Sequence, residues 1–313
     1  MHTARPLTVL ATALACSLTS APANARARVF VASYGNDANP CTFGSPCKTF
    51  QQAVNVVDVG GEVTAIDSAG FGPITITQAV TITSPDGVEA GIVPAAFGTA
   101  ITVNAGANDA IVLRGLTLNG SGIGDTGVTL ASGGSLTVTN CVIQNFIDQA
   151  ILFGPHSASD LVVSNTLLLD NGTHGIFVGG GAVTITVAID HVQASNNGAN
   201  GFFFNEITSG SITATISDSV AANNNVGVDV DAQFATGVVK ATLFHSVVTN
   251  NTTTGIQAAG GSATSTLTVA QSTVTGNATG LFVGANALIR SYQDNYFNDN
   301  GPNNGSLTSI TKQ

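Results

Sequence analysis

Asp229 and Asp231 lie two residues apart in the alternating run Gly227-Val228-Asp229-Val230-Asp231. A strand sets residues of that spacing on one face, so both carboxylates point the same way. Asn205 and Glu206, in Phe204-Asn205-Glu206, could add an amide and a third carboxylate. Gathered together, such oxygens are the donors that Ca²⁺ takes, or an acid–base pair. Asp125, Asp148 and His174 form a second polar set, with His174 held in Gly172-Thr173-His174-Gly175. Neither set has a Lys or Arg close by in sequence. The first set is expected to be solvated surface acids, with any role for Ca²⁺ secondary to that, and the second is not expected to be catalytic. No other cofactor is expected.

These groups can meet only if the chain returns to the same place repeatedly, and it does. A small residue followed by apolar, variable and apolar positions begins at Pro73, Ala100, Gly127, Ala150, Gly175, Gly201, Gly227, Gly255 and Gly280. The spacing between starts stays within 23 to 28 residues. A second motif (apolar, variable, polar, small, apolar) runs ahead of it, as in Val138 to Val142 and Ile216 to Val220. Corners follow, rich in Asn and Gly, residues that adopt positive φ at low cost. One unit cannot bury its own apolar face, but stacked units can, at about 4.8 Å per coil. The period lacks the Leu/Asn scaffold of leucine-rich repeats and the six-residue step of hexapeptide helices. The expected fold is all-β, a right-handed single-stranded parallel β-helix with a short N-terminal capping helix.

Stacking turns sequence positions into columns. Asp231 falls level with Asn205 of the preceding coil. Leu152, Phe177 and Phe203 occupy the outward third position of three successive coils, an apolar stripe on which a sugar ring or a partner could stack. Asn145, Asn196, Asn223 and Asn250 are expected to form a hydrogen-bonded ladder along one corner. A column of Asn140, Asn165, His191, Asp218, His245 and Gln271 sets an Asp between two His, a relay or metal pattern. The simpler expectation is another corner ladder, in which any hydrogen-bonding residue serves. Cys141 is expected to be a small buried residue.

The ends need covering, because an open strand edge invites further pairing. Thr49 can cap a helix starting at Phe50, with Phe50, Ala53, Val54 and Val57 on one face. Cys41 and Cys47 flank a Pro/Gly turn just before it, a spacing suited to a small-loop disulfide in an oxidising compartment. The tail from Tyr292 to Gln313 loses the repeat and is expected to close the far end. Residues 1–25 read as a signal peptide: Arg5, an apolar stretch from Leu7 to Leu18, and Ala23-Asn24-Ala25 as a cleavage site. Residues 26–60 form the N-terminal strand, disulfide loop and helix, and 61–313 the β-helix with its cap. A secreted or periplasmic location follows.

With the Asn-Pro-Cys…Pro-Cys-Lys-Thr segment, the capping helix and the Asn-cornered coils, the chain resembles bacterial right-handed parallel β-helix repeat proteins of the pectin-lyase-like superfamily. That resemblance implies polysaccharide lyases and hydrolases as well as tailspikes, adhesins and proteins without assigned roles. A lyase of this kind would need a basic residue beside the surface acids, and Gln257 and Ala259 stand there instead. A polygalacturonase-like site would need an Arg-x-Lys element, and the chain has none.

Only 8% of the residues are charged, and the net charge is −10, one unit more negative once Arg5 is removed. Scattered basic residues on an acidic chain give no footprint for nucleic acid. No segment after residue 25 is long enough to span a membrane. The leading expectation is therefore a secreted, non-catalytic β-helix that binds a polysaccharide or a cell-surface partner. The alternatives are a lyase or hydrolase, or a passive structural or adhesive surface protein.

Overall fold

Three short strands recur in each coil: Ile176–Gly180, Thr184–Asp190 and Gln193–Ser195 in one, Asn200–Glu206, Ser211–Ser217 and Val220–Ala222 in the next. A computed structural model describes residues 26–232, 236–262 and 264–312; the expected signal peptide lies outside them. Equivalent strands of successive coils pair in parallel and build three sheets of twelve, nine and ten strands among the described residues. This is the expected parallel β-helix.

Period-2 alternation decides what lies inside. In the nine-stranded sheet Ile176, Val178, Phe202, Phe204, Val228 and Val230 point inward and are buried, as are Ile212, Ile216, Val239 and Leu243 in the twelve-stranded sheet. Each such side chain contributes about 1.5–3 kcal/mol by leaving water. The apolar column is continuous from Val29 to Ile289.

Two corners turn through left-handed backbone. Asn140, Asn165, His191, Asp218, His245 and Gln271 have φ between 47° and 55°. Asn145, Asp170, Asn196, Asn223 and Asn250 have φ between 55° and 59°, and Gly276 has φ 68°. Asn, Asp and His enter this region more readily than other non-glycine residues, which accounts for their choice. These columns are expected to be ladders, but side-chain contacts between coils occur there only singly, with Asn145 Nδ2 donating to Asn119 Oδ1 at 3.3 Å and Asp218 meeting His245, and no continuous ladder forms among the described residues. The left-handed residue turns its own side chain outward, so the interior position passes to the residue after it.

The ladder accordingly runs through Asn171, Asn197, Asn224, Asn251, Asn277 and Asn300. Asn197 donates to Asn224 Oδ1 from both its backbone N–H (2.9 Å) and its side-chain amide (3.0 Å). Asn224 does the same to Asn251 at 3.0 and 3.3 Å, and also donates to the Ala194 carbonyl at 3.0 Å. Asn171 through Asn277 are buried. The small residue that opens each repeat makes room for them. A Cβ on Gly227 would stand 2.4 Å from Val248 Cγ1, 2.6 Å from the Gly255 carbonyl and 2.8 Å from Asn251 Nδ2. A second interior ladder follows the other corner, where the N–H groups of Val192, Ser219 and Ser246 donate to the hydroxyls of Ser219, Ser246 and Ser272. Cys141 belongs to this column and is buried, as expected.

The helix Phe50–Val56 begins at Thr49, whose side chain accepts from the Gln52 N–H. It covers the first strand of the nine-stranded sheet, Ile74–Ile76. There Gln51 imitates a neighbouring strand: its Oε1 accepts from Thr75 N–H at 2.8 Å and its Nε2 donates to the Thr75 carbonyl at 3.3 Å. Cys41 and Cys47 are joined by a disulfide. At the far end the repeat continues further than the sequence pattern suggests. Tyr296–Asn298 extends the ten-stranded sheet, Thr308–Ser309 the twelve-stranded one, and Asn304 bridges to Phe282. Apolar inward residues thin out there, but backbone pairing does not.

Candidate functional site

The outward face of the nine-stranded sheet collects most of the chemistry-bearing residues. Its central column reads Thr129, Leu152, Phe177, Phe203, Asp229, Gln257 and Phe282, each in register with the next. The expected Leu152–Phe177–Phe203 stripe is therefore present. Its side chains are half-buried rather than fully exposed or covered.

His174 completes the stripe. Its imidazole stacks on Phe177 with centroids 5.5 Å apart and planes inclined by 24°, and lies 5.1 Å from the Phe203 ring. Phe177 and Phe203 are themselves 5.2 Å apart. Three rings thus form one platform. The Asn200 backbone N–H donates to His174 Nδ1 at 3.3 Å, so that nitrogen is an acceptor. Burial holds the imidazole below its usual pKa, opposed by the charge of Asp148. A neutral ring results at physiological pH. Asp125 and Asp148 stack as expected, with Asp148 N–H donating to the Asp125 carbonyl at 2.9 Å. The Asp148 carboxylate accepts from Thr173 Oγ1 at 2.7 Å.

Beyond Phe203 the column becomes polar. Asn205 and Asp231 are in register, as expected, and Asp229 follows Phe203. Asp229 and Asp231 were expected to face solvent; they do lie on the outward face, yet only 6% and 3% of their surface is exposed. Neighbours close over them. Asn200 Nδ2 donates to Asp229 Oδ2 at 3.0 Å, and the Gln257 side chain also bonds this carboxyl. Burial, reinforced by the adjacent Asp231 charge, pushes Asp229 up to about 7 against these hydrogen bonds. Its other oxygen, Oδ1, has no hydrogen-bond partner among the described residues, and neither has Asn205 Oδ1. Asn200 escaped the sequence reading. Its signal was available, since it precedes Gly201 just as His174 precedes Gly175.

Glu206 does not join this group. Alternation turns it to the side of Phe202 and Phe204 at the strand's end, where its Oε1 accepts from Thr208 N–H and Oγ1 at 2.8 and 2.7 Å. It lies against Gly210 and Gly237, in a corner where a Cβ on Gly237 would come within 2.4 Å of Glu206 Cγ. Asn205, Asp229 and Asp231 alone fall short of the six to eight oxygens Ca²⁺ prefers, and Asp229 is half-protonated near neutral pH. This donor set does not fit Ca²⁺ well.

No Lys or Arg lies on any strand of the nine-stranded sheet. Arg28, Arg114, Lys240 and Arg290 all stand on the twelve-stranded one. The platform and its acid pair therefore share a face without cationic side chains on its strands. No helix among the described residues is long and apolar enough to cross a membrane.

No family model matches the chain, and no curated protein matches it. Solved structures do. Pectate lyase Pel9A aligns over 91% of this chain and 78% of its own, with 15% identity and a TM-score of 0.63. The polygalacturonase from Erwinia carotovora ssp. carotovora aligns over 82% and 92%, with 13% identity and a TM-score of 0.47. The A-module of mannuronan C-5 epimerase AlgE4 from Azotobacter vinelandii aligns over 81% and 89%, with 14% identity and a TM-score of 0.43. The first of these likenesses establishes the fold, that of a pectate-lyase-like β-helix; activity does not follow from it.

Proposed function

We propose that this protein binds an uncharged polysaccharide along the outward face of the nine-stranded sheet, without turning it over. The observation that carries this reading is the three-ring platform of His174, Phe177 and Phe203 beside buried oxygens of Asn205 and Asp229 that have no partner among the described residues. Sugar rings present apolar C–H faces to aromatic rings and hydroxyl groups to acceptors. Both requirements are met within adjacent coils. The absence of Lys and Arg from these strands, with four Asp nearby, disfavours an anionic glycan there. A location outside the cytoplasm belongs to the same reading, supported by the disulfide and by the leader-like residues 1–25.

The test is a glycan-array screen of the protein with Phe177→Ala/Phe203→Ala in parallel. The double variant should lose about ten-fold or more in affinity, the order expected for two aromatic contacts. Being half-buried, the rings should cost about 1–2 kcal/mol each in stability, less than fully buried Phe. Unchanged binding, or a collapse in unfolding temperature as the only effect, would sink the proposal.

Asp229 favours a second reading, glycoside hydrolysis. A carboxyl held near 7 beside another carboxylate is a general acid by type. Release of reducing ends by the parent, abolished in Asp229→Asn with binding intact, would support it. No release from any bound glycan eliminates it.

A further inference from the structure

On the opposite side of the coil, the corner between the twelve- and ten-stranded sheets carries His191, Asp218 and His245 in three successive coils. Their backbones are alike, with φ 52°, 48° and 48°. Asn140 and Asn165 satisfy the same left-handed turn earlier in the column, so backbone geometry alone does not call for imidazole, carboxylate and imidazole here. Asp190, the last residue of its strand, adds a second carboxylate. Its Oδ2 lies 2.8 Å from His191 Nδ1, and its Oδ1 accepts from Ser217 Oγ at 2.7 Å. Asp218 Oδ1 contacts His245 Nδ1 from the neighbouring coil.

One ligand atom each from Asp190, His191 and Asp218 lie within 4.8 Å of one another, the one such triplet of His, Cys, Asp or Glu among the described residues. All four side chains open to solvent, from 34% for Asp218 to 64% for His245. We propose that this corner is a binding site for one divalent transition-metal ion of the Zn²⁺ type, held by His191, Asp190 and Asp218, with His245 as fourth ligand.

The chemistry follows from the donors. Imidazole with carboxylate suits Zn²⁺, Ni²⁺ or Cu²⁺, whereas Ca²⁺ and Mg²⁺ seek oxygen alone. Ligands about 2.0–2.2 Å from a tetrahedral ion stand roughly 3.3–3.6 Å apart. The His191–Asp190 contact must therefore open by under an ångström, which solvent-exposed side chains allow. The ion takes the place of the hydrogen that Nδ1 and the carboxylate share. Parallel ladders set successive corner backbones about 4.8 Å apart, so Asp218 stands one coil from both His191 and His245, and His245, outside the gathered triplet, must turn toward Asp218 to reach the same ion. This site is separate from the ring platform and independent of the reading given for it.

Isothermal titration of the full chain with Zn²⁺ tests this, using His191→Asn and His245→Asn singly and together. Asn keeps the left-handed turn, so the fold should persist, as circular dichroism would verify. One Zn²⁺ per chain is expected, undisturbed by millimolar Ca²⁺ or Mg²⁺, with affinity lowered ten-fold or more in His191→Asn and further in the double variant. His174→Asn and His156→Asn serve as controls and should leave it unchanged. No saturable binding, or equal affinity in parent and double variant, overturns the proposal. So does loss of binding in a control alone.

Discussion

Phe203 and Asp229 hold the same outward position in neighbouring coils, so an aromatic ring and a carboxyl group stand in register one strand apart. The ring extends the apolar stripe on one side, and Asn200 and Gln257 close over the acid on the other. Water is thereby withheld from a group whose charged form needs it.

The stability of the protein should therefore depend on pH through Asp229. Unfolded, its carboxyl gives up its proton near the ordinary value of 3.8; folded, it holds it until about 7. Between those values only the folded state binds the proton, so stability declines as pH rises through that window and levels off above it. Asp229→Asn removes the effect while keeping an acceptor for Asn200. The variant should exceed the parent by roughly 2–4 kcal/mol at pH 8 and match it near pH 4. Urea unfolding at several pH values provides the check, and a gain independent of pH would contradict the assignment.

Adjacent asparagines at the second corner should behave differently. Asn224→Ala leaves both Asn197 N–H donors without their acceptor in a buried column. It also removes the amide that donates to Asn251 Oδ1 and the Ala194 carbonyl, while the backbone N–H at 224 still reaches Asn251 Oδ1. A loss of about 2–5 kcal/mol is expected, since each buried unsatisfied group costs 1–3. Asn223→Gly keeps the left-handed turn and should stay within about 0.5 kcal/mol of the parent. Equal losses in the two variants would mean the ladder is misplaced.

Gly227→Ala tests the fit between the small position and that ladder. The added methyl meets Val248, the Gly255 carbonyl and Asn251 at 2.4 to 2.8 Å, two of them on rigid interior structure. Overpacking of this kind costs about 1–3 kcal/mol or more. A variant as stable as the parent in thermal unfolding would show that the coils can part there.

Cys141 offers a simple chemical probe. Its thiol is buried, and burial pushes its pKa up to about 11. The thiolate is the reactive form. A thiol reagent at pH 8 should leave the native protein unmodified and label one thiol of the described residues on denaturation, in step with unfolding. Rapid native labelling would place the sulfur at the surface.

Much of this protein is legible in its sequence. The small-apolar-variable-apolar run from Pro73 to Gly280 determines the parallel stack, because only stacking buries a strand face that one coil leaves open. The same periodicity puts Asn205 level with Asp231 and lines up Leu152, Phe177 and Phe203. Thr49 and the Cys41–Cys47 spacing were equally local, since a cap and a small loop are satisfied by near neighbours. Tertiary structure decided the rest. Whether Asn223 or Asn224 builds the ladder depends on which takes positive φ, a choice of backbone that two identical side chains do not reveal. Strand alternation set Asp229 and Asp231 outward but could not show that Asn200 and Gln257 would close over Asp229, since those contacts cross between coils. His174 joins the rings through contacts with Phe177 and with Phe203 of the next coil, the second of which exists only once the coils are stacked. Burial, and with it the pKa of Asp229, is a property of neighbours distant in sequence, and only the folded stack brings them together.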